Sequence, residues 1–177
     1  NTPHKIKYIE PDSATENINI YFNNLKFKSN INFIGIILSG KSGDTFPLIS
    51  NFIFKNKFFK NKPILGVGLG AQILASNYRG SIKLNRNSDY VSEIVNVCNS
   101  KSKLLKDIPK NFNVWIPNNN NINIYNQDLV IIKGAGMRDI GFEIGNHYGI
   151  LFHPEVRHTD YGTNILNNFI QLISEIN

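Results

Sequence analysis

The stretch that decides the fold is Pro63–Ala75, PILGVGLGAQILA. An apolar run from Pro63 to Val67 meets glycines at 66, 68 and 70 and then turns into a helix-forming segment, Ala71 to Tyr78. A strand that enters a helix through a glycine turn is the repeating unit of an α/β sheet, whose ligands gather beyond the carboxyl ends of the strands. Two phosphate-binding readings of the turn fail on spacing. A dinucleotide fingerprint wants G-x-G-x-x-G, and here the third glycine comes one position early, while Asp89 follows a polar stretch instead of a second strand. The triplet Gly40-Lys41-Ser42 follows an apolar run but lacks the glycine-rich lead-in of a phosphate loop. The third reading is a nucleophile elbow, a strained strand-to-helix junction flanked by small residues. Its junction residue is Gly68, which has no side chain to attack with. The amides of Leu69 and its neighbours, at the start of a helix, remain available to a ligand.

Upstream, Lys5–Glu10 alternates like a short strand, and Phe33–Leu38 (FIGIIL) suits a buried parallel strand. The loop 39–44 and a helix over Pro47–Lys60 are expected to follow. Downstream of Gly80 the texture changes to short strand candidates with turn residues between them, which suggests an antiparallel portion. These are Ser81–Lys83, Val91–Cys98, Phe112–Ile116, Ile122–Tyr125, Leu129–Lys133, Phe142–Ile144 and Gly149–Phe152. An amphipathic helix over Gly162–Ile176 closes the chain. The fold class expected is therefore α/β: an open, mostly parallel sheet flanked by helices, with a smaller antiparallel portion.

The 177 residues suffice for one domain with a real core. Asparagine supplies 28 of them, a composition bias laid over an ordinary fold, since Asn is well tolerated in turns and on surfaces. The formal charge of +6 permits nucleic acid as a partner, but the basic residues are scattered and do not form a stripe. With Cys98 as the single cysteine, no internal disulfide forms, which points weakly to an intracellular, cytoplasmic-type compartment. Cys98 reads as a buried strand residue, and His4 and His147 as surface residues. No membrane partner is expected, because no apolar run approaches spanning length. No metal is expected either, because no set of His, Cys and acidic residues has ligand spacing.

The elbow reads Gly66-Val67-Gly68-Leu69-Gly70-Ala71-Gln72, similar to the Gly-x-Cys-x-Gly-x-Gln motif of class I glutamine amidotransferases. GIILSG, Gly35–Gly40, resembles that family's strand and oxyanion-side loop. FHPEVRHTDYGTNILNNF, Phe152–Phe169, resembles its His-Pro-Glu segment, with His158-Thr159 and Gly162 closest to the amidotransferases of GMP synthases, particularly the separate subunit of archaea. IPKNFNVW, Ile108–Trp115, is similar to a segment that precedes a substrate-contact loop. The resemblance spans roughly residues 5 to 175 and implies the family's fold, with no cofactor. It implies catalytic roles for His153 (acid/base) and Glu155 (its orienter). Gly40, Leu69 and Gln72 would line the substrate pocket, and His158 and Thr159 would contact a partner.

The resemblance also has gaps. Gly68 stands where the family places its nucleophilic cysteine. Lys41-Ser42 stand where it usually has Gly-Pro, and Ile116–Asn120 where it carries a Ser-His-x-Asp-like stretch. The family's first strand is expected before Lys5, so residues 1–177 read as a single amidotransferase-like domain lacking that strand. The function expected from these gaps is that of a catalytically inactive pseudoenzyme, with His153 and Glu155 as a remnant dyad. It would serve as a structural or regulatory subunit of a larger complex, with a synthetase (ATP-pyrophosphatase) subunit or another large assembly as partner and a glutamine-like ligand as a candidate. The alternative is a GMP synthase glutaminase subunit of purine biosynthesis, mutated or assigned by homology, supplying ammonia for XMP amination.

Overall fold

The computed structural model describes residues 35–39, 54, 61–78, 80–83, 89–118 and 121–176. The expected strand Lys5–Glu10, most of the helix Pro47–Lys60, and the loop positions Gly40, Lys41 and Ser42 lie outside the described residues.

The chain order is β1 (Ile36–Leu38), β2 (Ile64–Val67), α1 (Leu69–Asn77), β3 (Ser81–Lys83), β4 (Tyr90–Val97), β5 (Asn111–Pro117), β6 (Asn121–Asn123), β7 (Val130–Lys133), β8 (Asp139–Ile144), β9 (His147–Ile150) and α2 (Gly162–Ile176). Among the described residues, seven strands form one sheet in the order β1-β2-β9-β8-β7-β4-β5, and β3 pairs with β6 in a small second sheet.

The expectation of a mostly parallel sheet is corrected here. Among the described strands only β1–β2 and β2–β9 are parallel. The pairings β9–β8, β8–β7, β7–β4 and β4–β5 are all antiparallel, so the described sheet is mixed and mostly antiparallel. The reason lies in the connections. Parallel neighbours need a crossover of a dozen or more residues, whereas short turns can only return a strand antiparallel. Strands β8 and β9 are joined by Gly145-Asn146 alone, with Gly145 at φ 58°, the left-handed conformation a two-residue hairpin demands.

The core forms where the sheet meets helices α1 and α2. Strand β2 is buried along its whole length, as a strand paired on both sides and covered on its faces must be. Helix α2 buries Ile165, Phe169, Leu172 and Ile173, the i, i+4, i+7, i+8 stripe of an amphipathic helix. Phe169 meets Tyr148 of β9 edge-on at 6.0 Å, and each such fully buried side chain contributes about 1.5–3 kcal/mol. Asn168 fixes the same helix from its partly buried side, donating to the carbonyls of Leu104 at 2.9 Å and Lys106 at 2.8 Å.

Two single-residue expectations also change. Val95 and Val97 take the inward positions of β4, so alternation leaves Cys98 facing outward, and it is exposed. His147 is buried at the start of β9, where its Nδ1 pairs with the Tyr78 hydroxyl and Phe54 packs edge-on at 6.0 Å.

Candidate active site

The elbow and the His-Pro-Glu segment meet because β2 and β9 are parallel neighbours, with Val67 opposite Ile150. Parallel strands release their following residues at the same end of a sheet. Gly68 follows one strand, and Leu151-Phe152-His153 follows the other. The Gly68 amide donates to the Ile150 carbonyl at 2.9 Å and ties the two exits together.

The turn needs its glycines for two different reasons. Gly68 adopts φ 56°, ψ −114°, a conformation that strains any residue with a Cβ. Gly66 and Gly70 are required by close approach. A Cβ on Gly70 would lie 2.0 Å from the Leu38 carbonyl oxygen, and one on Gly66 would lie 2.6 Å from the Ala71 nitrogen. In the first turn of α1, the Ala71 and Gln72 amides both return to the Gly68 carbonyl. The earlier amides, Leu69 and Gly70, have no intrahelical acceptor by the geometry of any helix start.

His153 faces this turn. A Cβ on Gly68 would lie 3.1 Å from its Nε2. On the other side of the ring, Nδ1 is 2.7 Å from Glu155 Oε1. Burial raises the Glu155 carboxyl, but the hydrogen bond from His153, one from its own backbone amide and the His153 charge outweigh it. The carboxyl is held below its usual range. An ionised carboxylate only accepts, so Nδ1 carries the proton. In the neutral imidazole Nε2 then offers its lone pair to the elbow side.

A short ladder fixes the ring's backbone. The His153 amide donates to the Trp115 carbonyl at 3.1 Å, and the Trp115 amide donates to Thr159 Oγ1 at 3.0 Å. The Asp160 amide donates to the Asn113 carbonyl at 2.9 Å, and the Asn113 amide to Asp160 Oδ2 at 3.1 Å. Residues 153–160 are thus laid along β5.

The structure brings Gly68, Leu69, His153 and Glu155 to one place. Gln72 sits one turn into α1, 2% exposed, with its Nε2 unpartnered among the described residues. Gly40 is outside the described residues. His158 is exposed and lies against the Trp115 ring at 4.9 Å, a position open to a partner. Thr159 is 7% exposed and holds β5 instead of facing outward. Among the described residues no group of three or more His, Cys, Asp or Glu could hold a metal ion, and no helix is long and apolar enough to cross a membrane.

One residue escaped the sequence reading. Tyr90, the first residue of β4, places its hydroxyl 3.1 Å from His153 Nε2 and stacks its ring on Trp115 at 6.3 Å and 17°. Its only local signal is an aromatic residue at a strand start. Its link to position 153 exists only through the sheet.

Similarity to known proteins agrees with this geometry. The class-I glutamine amidotransferase family profile matches residues 3–172. A glutamine-hydrolysing GMP synthase from Petrotoga mobilis is 34% identical over 143 residues, which is 79% of this chain and 28% of that protein. One from Borrelia garinii is 31% identical over 158 residues, 85% of this chain and 29% of that protein. The chain therefore spans under a third of the curated relatives it matches. Among solved structures, a GMP synthase subunit protein from Thermoplasma acidophilum superposes with a TM-score of 0.69 at 28% identity, covering 81% of this chain and 74% of that one. A glutamine amidotransferase from Thermotoga maritima shares the fold, with a TM-score of 0.59 at 19% identity, covering 91% and 76%.

The expectation of a catalytically inactive structural or regulatory subunit is corrected by these relatives. Consistent similarity to glutamine-hydrolysing GMP synthases fits an amidotransferase better than a pseudoenzyme. Residue 68 carries no side chain, whereas His153 and Glu155 are bonded to each other beside it. This chain belongs to the class-I glutamine amidotransferase family, in close relation to the glutamine-hydrolysing domains of GMP synthases.

Proposed function

We propose that this chain is the glutamine-hydrolysing component of a GMP-synthase-type system. It releases the carboxamide nitrogen of glutamine as ammonia, and a synthetase partner of the ATP-pyrophosphatase type uses that ammonia to aminate XMP. The observation that carries this reading is the His153–Glu155 pair, bonded at 2.7 Å with Nε2 turned to the elbow. The family-level relatives support the same assignment.

In this reading Glu155 holds the imidazole in the Nδ1–H form, and His153 Nε2 takes a proton from an attacking oxygen and returns it to the departing nitrogen. The helix-start amides of Leu69 and Gly70 face the oxygen that becomes negative in the transition state. Leu69 and Gln72 border the glutamine pocket, and His158 is the exposed contact for the synthetase. Gly68 replaces the family's cysteine, so the attacking group is an oxygen and no thioester forms at this position.

The test is ammonia release from glutamine, measured with and without a co-purified ATP-pyrophosphatase subunit. Glutamine-dependent release that disappears in His153→Ala is expected. Silence under both conditions sinks the proposal.

A further inference from the structure

The family assignment leaves unexplained the hydroxyl that already sits on the base. Tyr90 Oη lies 3.1 Å from His153 Nε2, the nitrogen that a Cβ on Gly68 would approach to 3.1 Å. Glu155 accepts from Nδ1 at 2.7 Å. In the neutral ring Nε2 can only accept, so the Tyr90 hydroxyl is the donor. Three groups thus stand in the order hydroxyl, base and orienter, the arrangement that marks an activated nucleophile.

Two further features fit. The Tyr90 ring is held by stacking on Trp115, whose carbonyl accepts the His153 amide, so the hydroxyl and the base are positioned by one residue. Tyr90 is also 45% exposed, so a substrate can reach it. Gly68 contributes no side chain, so among the described residues the Tyr90 hydroxyl is the group that meets Nε2.

We propose that Tyr90 is the nucleophile of this site, a role that rests on the glutaminase reading above. His153 Nε2 takes the phenolic proton as the Oη–carbon bond forms at the glutamine carboxamide, and the carbonyl electron pair moves onto its oxygen. When the carbonyl reforms, the carbon–nitrogen bond breaks and the nitrogen leaves as ammonia with the proton from His153. This leaves a γ-glutamyl ester on Tyr90. Water, deprotonated by His153, then cleaves that ester, and the phenolate recovers its proton. The net change is glutamine plus water to glutamate plus ammonia, with nothing oxidised or reduced.

The experiment uses the full chain and has two arms. In the first, ammonia release is compared among the parent protein, Tyr90→Phe and His153→Ala. Tyr90→Phe keeps the ring stacked on Trp115, and its thermal melt checks the fold. A loss of about 100-fold or more in Tyr90→Phe is expected. An unchanged rate means that water attacks directly, and a faster one means that the hydroxyl only plugs the base. Either overturns the proposal while leaving the glutaminase reading standing. In the second arm, the protein is treated with a diazoketone analogue of glutamine and digested, and the adduct is mapped by mass spectrometry. An adduct on Tyr90 that is absent from His153→Ala is expected. An adduct elsewhere, or none, overturns the proposal. If the parent protein releases no ammonia, the glutaminase reading falls, and the labelling arm still decides whether His153 activates Tyr90.

Discussion

A Cβ on Gly68 would stand 3.1 Å from His153 Nε2. At that distance, a thiol placed on residue 68 falls within reach of the base. Gly68→Cys is therefore expected to raise glutamine hydrolysis at least tenfold and to create a rapidly alkylated thiol. The elbow's φ of 56° makes the change costly, on the order of 1–3 kcal/mol of stability. Steady-state ammonia assays and a chemical melt, run side by side, read both effects.

The His153–Glu155 bond sets a second expectation. Removing the base should lower hydrolysis by about 100-fold or more, while Glu155→Gln, which keeps a hydrogen-bond acceptor but no charge, should cost less. The folded Glu155 pKa is depressed, so its stabilising contribution is present above the ordinary carboxylate pKa and is lost as pH falls through the lowered value. Denaturant midpoints at neutral and acid pH should therefore converge between the parent and Glu155→Gln as the medium becomes acidic. A difference that widens on acidification would contradict this.

Tyr148 predicts a change at the other end of the scale. Burial, with Glu143 and then Glu175 adding, pushes its hydroxyl up to about 12. A raised folded pKa gives stability that is fully present below the unfolded value, about 10, and is lost as pH climbs toward about 12. The parent should lose stability over that window faster than Tyr148→Phe, as measured by urea midpoints across the alkaline range.

Gly70→Ala tests the packing of the elbow. Its Cβ would lie 2.0 Å from the Leu38 carbonyl oxygen, backbone that cannot move without shifting β1. A loss of roughly 1–3 kcal/mol is expected, as for other overpacked sites. A melt unchanged from the parent would mean that β1 and α1 do not approach in this way.

Cys98 stands outside the site. It is exposed just past β4, and the partial desolvation of its thiol, opposed by the nearby Lys133, leaves the pKa raised. Cys98→Ser should leave hydrolysis unchanged, and alkylation of the parent at neutral pH should be slow. A fall in activity would contradict a mechanism that runs without a thiol.

Much of this site was legible in the chain itself. An apolar run ending in glycines at alternate positions encodes a strand, a tight turn and a helix, because only such a turn needs two backbone contacts and one positive φ so close together. Helix α2 was equally plain from its apolar spacing. The balance of the sheet was not. The turn-rich strands after Gly80 read as antiparallel, but that they outnumber the parallel ones, and that His147–Ile150 also joins β2 in parallel, depends on neighbours the runs themselves do not name. Nor was Tyr90 visible. It lies 63 residues from His153, and their meeting depends on β4 and β9 belonging to one sheet.

The ladder from residues 153–160 to β5 has a second effect, on solubility. Strand β5 ends the described sheet, and an unpaired rim of amides and carbonyls is a template for adding foreign strands. Here the outward groups of Asn113 and Trp115 are already occupied by His153, Thr159 and Asp160. The segment that carries His153 therefore also covers the rim, so a mutation that loosens it should make the protein stick to itself and, on the proposed mechanism, slow glutamine hydrolysis.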